Sequence, residues 1–320
     1  MLLMSVLHVV HRSGGGSQKY LDDLMNITGY TYQVYHGKSD LENLNQVRLI
    51  HIHSLFPYDE IGTEFLQLLR YLRHVLPEVK VFVTVHDYYY IFENTTPDLA
   101  RLGFTTECYT VSDHKPNHYL CFCTRDLFRM ADKVIMPTQR VYNNYLNFTG
   151  PLDDCNVEIV PHCDMPVRYE QLWIPPVTDK VRVAIVGKKG LDVYEKIKEV
   201  SNLPVEFVEY FTYNDEELIE TLHRDNIHII LWPSRLEETY CYALTRLINS
   251  GIPIVYIRRG AFADRLPVKG RFFGTVIISK ILVALSDAIQ FVHANQGKKD
   301  YVAIDETVQL NDWYKENYKW

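Results

Sequence analysis

Four short stretches hold the residues best suited to chemistry. In LEETYCYALTR (236–246), Glu237 and Glu238 sit at the mouth of a helical pattern, and Arg246 follows eight positions after Glu238. A carboxylate there can only accept hydrogen bonds, whereas an arginine offers only donors. In VGKKGLD (186–192), Lys188 and Lys189 lie between Gly187 and Gly190 where a helix opens. An ammonium beside a helix N-terminus suits a diphosphate, although a solvated turn with surface lysines shows the same residues. In HRSGGGSQKY (11–20), Gly14, Gly15 and Gly16 form a strand-to-helix turn that lets the backbone approach an anion. It matches neither the dinucleotide fingerprint nor the P-loop, and a tight turn without ligand explains it equally well. In TVHDYY (84–89), His86 and Asp87 stand at a strand's end. A histidine there is near charge balance at neutral pH and can serve a sugar hydroxyl or a phosphate; bonded to backbone, it would only cap the strand.

A fifth group, Cys108, His114, His118, Cys121 and Cys123, crowds one segment. Zinc sites space their ligands in close pairs, which a C-x-C with one distant cysteine does not. No metal is expected, and these residues read as loop thiols and their neighbours. No nucleophile elbow, HExxH or kinase motif occurs in the sequence.

The elements that must position these residues alternate along the chain. SVLHVV (5–10), VRLIHIH (47–53), KVFVTVHD (80–87), DKVIMPT (132–138) and VEIVPH (157–162) read as strands, with amphipathic helical segments between them. PVRYEQLWIPPVTD (166–179) interrupts with prolines and polar residues, and the rhythm then restarts at KVRVAIVG. Strand–helix alternation implies parallel sheets covered on both faces. The restart implies two such domains: 1–165, a linker over 166–179, 180–300, and a terminal segment over 301–320 that packs back on the first domain. Residues 88–125 break the rhythm and read as a long loop at a strand's C-terminal end, where open α/β sheets place ligands.

Composition narrows the classes. The 320 residues are 47% hydrophobic and 23% charged, as expected of globular domains with sizeable cores. A net charge of −7 disfavours nonspecific nucleic-acid binding, which depends on phosphate neutralisation. The N-terminal apolar run lacks a basic region and ends in glycines, so it reads as a first buried strand, not a signal peptide. No run approaches the roughly 20 apolar residues of a membrane span. Six cysteines in that setting suggest a reducing, cytoplasmic compartment, and the sequons at Asn26, Asn94 and Asn147 are read as incidental. FLQLLRYLRHVL (65–76) offers a weak membrane-surface stripe, but a helix packed on a sheet has the same pattern.

With these motifs in order, the chain resembles the retaining nucleotide-sugar glycosyltransferases of the two-domain GT-B fold, closest to the group 1, family 4-like enzymes. The resemblance runs over about residues 5–290. It rests on SGGGSQKYLDDL, VTVHDYYYI, ADKVIMPTQRV, VEIVPHC, VGKKGLDVYEKI and, most specifically, LWPSRLEETYCYALTRLINSGIPIVYIRRGAFADRL. It implies two Rossmann-like doubly wound domains facing a cleft, the first serving the acceptor and the second the donor. It also implies that Glu238 contacts the donor sugar and that backbone N–H groups near Thr239 and Tyr240 meet the diphosphate. Lys189 offsets phosphate charge, with Lys188 and Arg235 in the same donor set. His86, with Asp87, reaches the transferred sugar, and Gly14, Gly15 and Gly16 let the first domain close over the phosphates. A second acid is usual eight residues after the first, where it binds the ribose; here that position is Arg246, which would meet a phosphate or pair with Glu238. The family's basic residue upstream of the lysine–glycine loop has no clear counterpart unless Lys188 or Arg182 takes its place.

The expectation is therefore a hexosyltransferase that moves sugar from a nucleotide diphosphate to a glycan or other acceptor with retention, using the nucleotide sugar as co-substrate and neither cofactor nor metal. The second reading is a catalytically degenerate GT-B protein acting as a binding or scaffold partner, for which Arg246 is the feature. A transferase acting on modified DNA is disfavoured by the net charge.

Overall fold

The computed structural model describes residues 5–10, 15–28, 32–35, 47–54, 60–88, 90, 118–165, 167–168, 171–268, 270–300 and 307–318. They fall into two compact units. The first runs up to Cys163 and takes in the chain from Gln309 onward; the second runs from Asp164 to Val308.

The first unit is built in the order β1 (Ser5–Val10), α1 (Gly15–Thr28), β2 (Tyr32–Tyr35), β3 (Val47–Ser54), α2 (Glu60–Val75), β4 (Lys80–Thr84), α3 (His118–Met130), β5 (Lys133–Met136), α4 (Gln139–Thr149) and β6 (Val157–Ile159). Its six strands are parallel, in the order β2-β1-β3-β4-β5-β6. Side chains alternate across a strand, and here the alternation sorts chemistry. Leu7, Val9, Ile50, Ile52, Val81, Val83 and Val85 turn to one face, where Leu66, Leu69 and Leu72 of α2, Leu127 and Phe128 of α3, and Tyr145 of α4 complete an apolar core. The intervening positions carry His8, His51, His53 and Thr84, all buried. Tyr20 of α1 and the terminal Tyr318 pack with these histidines, and Tyr314 packs on Tyr20.

The second unit contributes β7 (Leu172–Trp173), β8 (Val181–Val186), α5 (Leu191–Val200), β9 (Val205–Tyr210), α6 (Leu218–Arg224), β10 (Ile229–Trp232), α7 (Tyr242–Asn249), β11 (Ile254–Ile257), α8 (Gly260–Arg265), β12 (Phe272–Thr275), α9 (Ile281–Asn295) and β13 (Lys299–Asp300). The helix α10 (Thr307–Asn317) closes the described chain. The main sheet is parallel, ordered β12-β11-β10-β8-β9, and β7 pairs antiparallel with β13. Alternate residues again serve two cores. Ala184, Val186, Ile230, Trp232 and Tyr256 meet α6, α7 and α8, while Val183, Ile185, Leu231 and Val255 meet α5 and α9. Both faces are covered, as a parallel sheet requires.

Each sheet's strand order reverses once, between β1 and β3 in the first unit and between β8 and β10 in the second. In open α/β sheets, loops diverge at such switch points and leave a crevice for ligands.

Three sequence expectations differ from the structure. Gly15 and Gly16 are not part of the strand-to-helix turn, because α1 begins at Gly15. Packing of its Tyr20, Leu21 and Leu24 face outweighs glycine's low helix propensity. The supposed loop over 88–125 is helical from His118, since Leu120, Thr124, Leu127 and Phe128 recur at helical spacing and are buried. The strand β2 was not legible, and the linker holds the short strand β7.

Candidate donor site and a buried histidine layer

In the second unit, two segments meet at the switch point. The turn after β8 uses glycines with positive φ, +75° at Gly187 and +82° at Gly190. A Cβ at Gly190 would lie 2.5 Å from the Pro233 carbonyl oxygen, so only glycine lets this turn pack on the loop after β10. That loop, 233–241, is clamped from α8 and the residue before it. Arg259 Nη1 donates to the Arg235 carbonyl at 3.0 Å, and Arg265 Nη1 donates to the Tyr240 and Cys241 carbonyls at 3.2 Å each. The Arg265 guanidinium lies 4.3 Å over the Tyr240 ring. The Ala261 N–H donates to the Glu238 carbonyl at 2.8 Å, and a Cβ at Gly260 would come within 2.5 Å of that same oxygen. The backbone of Glu238 is thus fixed. Cys241 takes φ +65°, a glycine-like conformation that a side chain pays for in strain, at the mouth of α7.

The chemistry at this point is an ion pair, Lys189 Nζ to Glu238 Oε1 at 3.1 Å. Glu238 is 14% exposed and Lys189 48%. Partial burial pulls the Lys189 pKa down, but the Glu238 carboxylate outweighs it and leaves it raised, so the ammonium persists. Burial, then Glu238, push the Cys241 thiol well up, which keeps it protonated and poorly nucleophilic. Arg235 pairs with Asp192 in the first turn of α5. Lys188 is exposed, while Thr239 and Tyr240 are buried.

Arg246 does not reach back to Glu238. Its Nη1 binds Asp164 Oδ1 at 2.9 Å, and Thr245 donates to Asp164 Oδ2 at 2.5 Å. Arg246 and Asp164 are 6% and 1% exposed. Glu238 lies before the helix, eight residues and more than two turns away, whereas Asp164 lies beside α7.

In the first unit, His86 follows β4 and joins the buried histidines. His8 Nδ1 and His53 Nε2 are 2.7 Å apart, and His53 Nδ1 and His86 Nε2 are 3.3 Å apart. His51 bonds Thr84 through Nε2 at 2.7 Å and the Tyr318 hydroxyl through Nδ1. The His86 ring lies 4.6 Å from that of His162, whose Nε2 bonds the Val85 carbonyl at 3.3 Å. Burial pushes His8 down to about 3 and holds His51, His53 and His86 well below the usual histidine value, with the neighbouring histidines adding to it for these three. The imidazoles are neutral at pH 7. Asp87 is half-buried, and its carbonyl accepts from Tyr145 at 2.8 Å.

Ligand atoms of His8, His51 and His53 lie within 4.8 Å of one another, the one such group among the described residues. Their nitrogens bond each other, His86, Thr84 and Tyr318. We therefore read the group as a hydrogen-bonded network. Of the cysteine–histidine segment, Cys108 and His114 lie outside the described residues, His118 is exposed, and Cys121 and Cys123 are buried on α3.

The structure thus brings Lys189 and Glu238 together, sets Arg235 on Asp192, and turns Arg246 away. Gly15 and Gly16 open α1, and Gly14 lies outside the described residues. The sequence reading passed over Asp164, the clamp from Arg259 and Arg265, and the histidine partners of His86. The last had a visible signal, histidines at period two in LIHIH (49–53).

No family model matches the sequence, and no curated protein does. Solved structures do resemble it. The HepE protein of Anabaena, in complex with UDP and glucose, superposes with a TM-score of 0.57 at 11% identity, covering 98% of this chain and 99% of that one. The same protein with UDP-glucose gives the same values. The sucrose-phosphate synthase of Thermosynechococcus elongatus superposes with a TM-score of 0.56 at 14% identity, over 91% of this chain and 90% of that one. At such identities the likeness is one of fold: the chain resembles GT-B glycosyltransferases and has their pair of Rossmann-like units.

Proposed function

We propose that the protein is a retaining glycosyltransferase that moves a hexose from a nucleotide diphosphate to a glycan or another acceptor, in the cytoplasm and without a metal. The observation that carries this reading is the Lys189–Glu238 pair at the switch point of the second unit, held on a clamped backbone. HepE was solved with UDP and with UDP-glucose, which supports a nucleotide sugar as the ligand class. The described cysteines are free thiols, in keeping with a reducing compartment.

The donor half follows from charge. A diphosphate arriving at the Gly187–Gly190 turn competes for the Lys189 ammonium and frees Glu238 to accept from the sugar's hydroxyls. As the glycosidic bond breaks, negative charge grows on the diphosphate, where Lys189 and backbone N–H groups at the helix mouths stabilise it. Glu238 is the donor-sugar contact and His86 the group that meets the transferred sugar. Thr239, Tyr240, Lys188 and Arg235 belong to the same donor loop. Arg246 braces α7 through Asp164 and leaves the ribose without a carboxylate on α7.

Thermal stabilisation by a panel of UDP-, GDP-, ADP- and dTDP-sugars tests the reading. One nucleotide should raise the melting temperature, and Glu238→Ala should weaken that donor at least about tenfold. A wild-type protein indifferent to the whole panel would overturn the proposal.

A further inference from the structure

We propose that His8 and His53 are positioning residues for His86, forming a relay of hydrogen-bonded imidazoles that decides which nitrogen of His86 carries its proton. This rests on the reading of His86 as the sugar-contacting group.

The argument is one of donor counting. A neutral imidazole has one N–H and one lone pair. Both nitrogens of His53 face other imidazoles: Nε2 meets His8 Nδ1 at 2.7 Å and Nδ1 meets His86 Nε2 at 3.3 Å. His53 must therefore donate on one side and accept on the other. Only two arrangements satisfy both bonds. In one, His8 Nδ1 donates to His53, His53 Nδ1 donates to His86, and His86 keeps its own proton on Nδ1, where it acts as a donor. In the other, every bond is reversed; His86 donates from Nε2 and its Nδ1 is a lone pair that accepts. The tautomer of His8 thus selects the chemistry offered by His86 through the two bonds of His53.

The setting favours one arrangement at a time. His8 and His53 are buried, so a broken bond would strand a polar atom without water. Parallel pairing sets His8 opposite His51 and Ile52 opposite Val83, which fixes the spacing of the rings. The His51 ring lies tilted 4.1 Å from His53, and the Tyr20 ring lies 5.4 Å from His53 and 4.7 Å from His86. His51 itself bonds Thr84 and Tyr318 and so braces the relay from outside it. Burial keeps the rings neutral, which the counting requires.

The test reads tautomers directly. The full chain, labelled with ¹⁵N-histidine, is studied by two-bond ¹⁵N–¹H correlation as wild type, His8→Phe and His8→Asn. His8→Phe keeps a flat ring and removes the polar partner; His8→Asn returns a polar group near the Nδ1 position. The expected result is a single His86 tautomer in the wild type, a mixture in His8→Phe, and in His8→Asn, whose amide can donate or accept, a restored hydrogen bond at His53 Nε2. Unchanged His86 shifts in a folded His8→Phe would overturn the relay. Should that variant not fold, the ¹⁵N–¹⁵N coupling across the His53–His86 bond in wild type decides, and its absence would also overturn the proposal. In the transfer assay, His8→Phe should lower kcat about tenfold with the donor KM unchanged. The spectra are read without substrate, so failure of the relay and failure of the transferase reading remain separate outcomes.

Discussion

Arg246 and Asp164 show how a residue can be misjudged from its position in a motif. Arginine at 246 looks like a lost ribose contact, yet the side chain is buried and its charge is answered by Asp164, 82 positions earlier. Replacing one member of a buried pair strands the other. Arg246→Glu would set two carboxylates side by side and should cost about 3–5 kcal/mol of stability, measured by urea unfolding. A fully stable Arg246→Glu would mean that the pair contributes nothing. Gly190 makes the complementary case, where the absence of a side chain is required. Its positive φ and a Cβ that would fall 2.5 Å from Pro233 predict that Gly190→Ala destabilises by roughly 1–3 kcal/mol and weakens donor binding, because the turn must leave the loop. Isothermal titration and urea melts on the one variant separate these two effects. Lys189 and Glu238 were legible from their glycine and helix neighbours; their 3.1 Å contact was not, since it joins loops about 50 residues apart in sequence.

At the scale of elements, the first unit's sheet treats its two faces differently. One face is aliphatic and packs on α2, α3 and α4; the other carries histidines and threonine beneath tyrosines. The apolar stripe in 65–76 lies in that aliphatic core through Leu66, Leu69 and Leu72. Helix α10 and the residue after it supply Tyr314, which donates to the Pro161 carbonyl at 3.1 Å, and Tyr318, which bonds His51. Trp313 Nε1 adds a bond to Glu158 at 3.0 Å. Tyr318→Phe keeps the packing and strands a His51 nitrogen, so it should destabilise the first unit by about 1–3 kcal/mol. A Tyr318→Phe protein that melts like wild type would remove the hydrogen bond from the account. The strands themselves were plain in the sequence because burial on both faces makes them near-continuous apolar runs. The short β2 and β7 were not, because four and two residues carry too little pattern.

At the scale of the whole molecule, the histidine layer ties stability to pH. His8, His51, His53 and His86 resist protonation when folded and accept it near pH 6.5 when unfolded. Above that pH both states hold them neutral and nothing is lost. As pH falls below it, the unfolded chain binds more protons, and stability drops by up to about 1.4 kcal/mol per pH unit for each histidine. The loss continues for His8 toward pH 3. Urea melts at pH 7.5, 6 and 5 should show a steep decline, reduced in His8→Phe; a flat profile would contradict the buried neutral state. Among the described residues, no helix is long and apolar enough to cross a membrane. The sequence by itself determined the alternation of strands and helices and the GT-B resemblance, because these depend on local periodicity and on motifs in order. Only the tertiary structure decided which strands are neighbours, that Arg246 answers Asp164, that Lys189 meets Glu238, and that histidines from separate strands share one buried face. Those facts depend on contacts between distant segments, and period-two patterning shows that a strand has two faces without saying what will cover each.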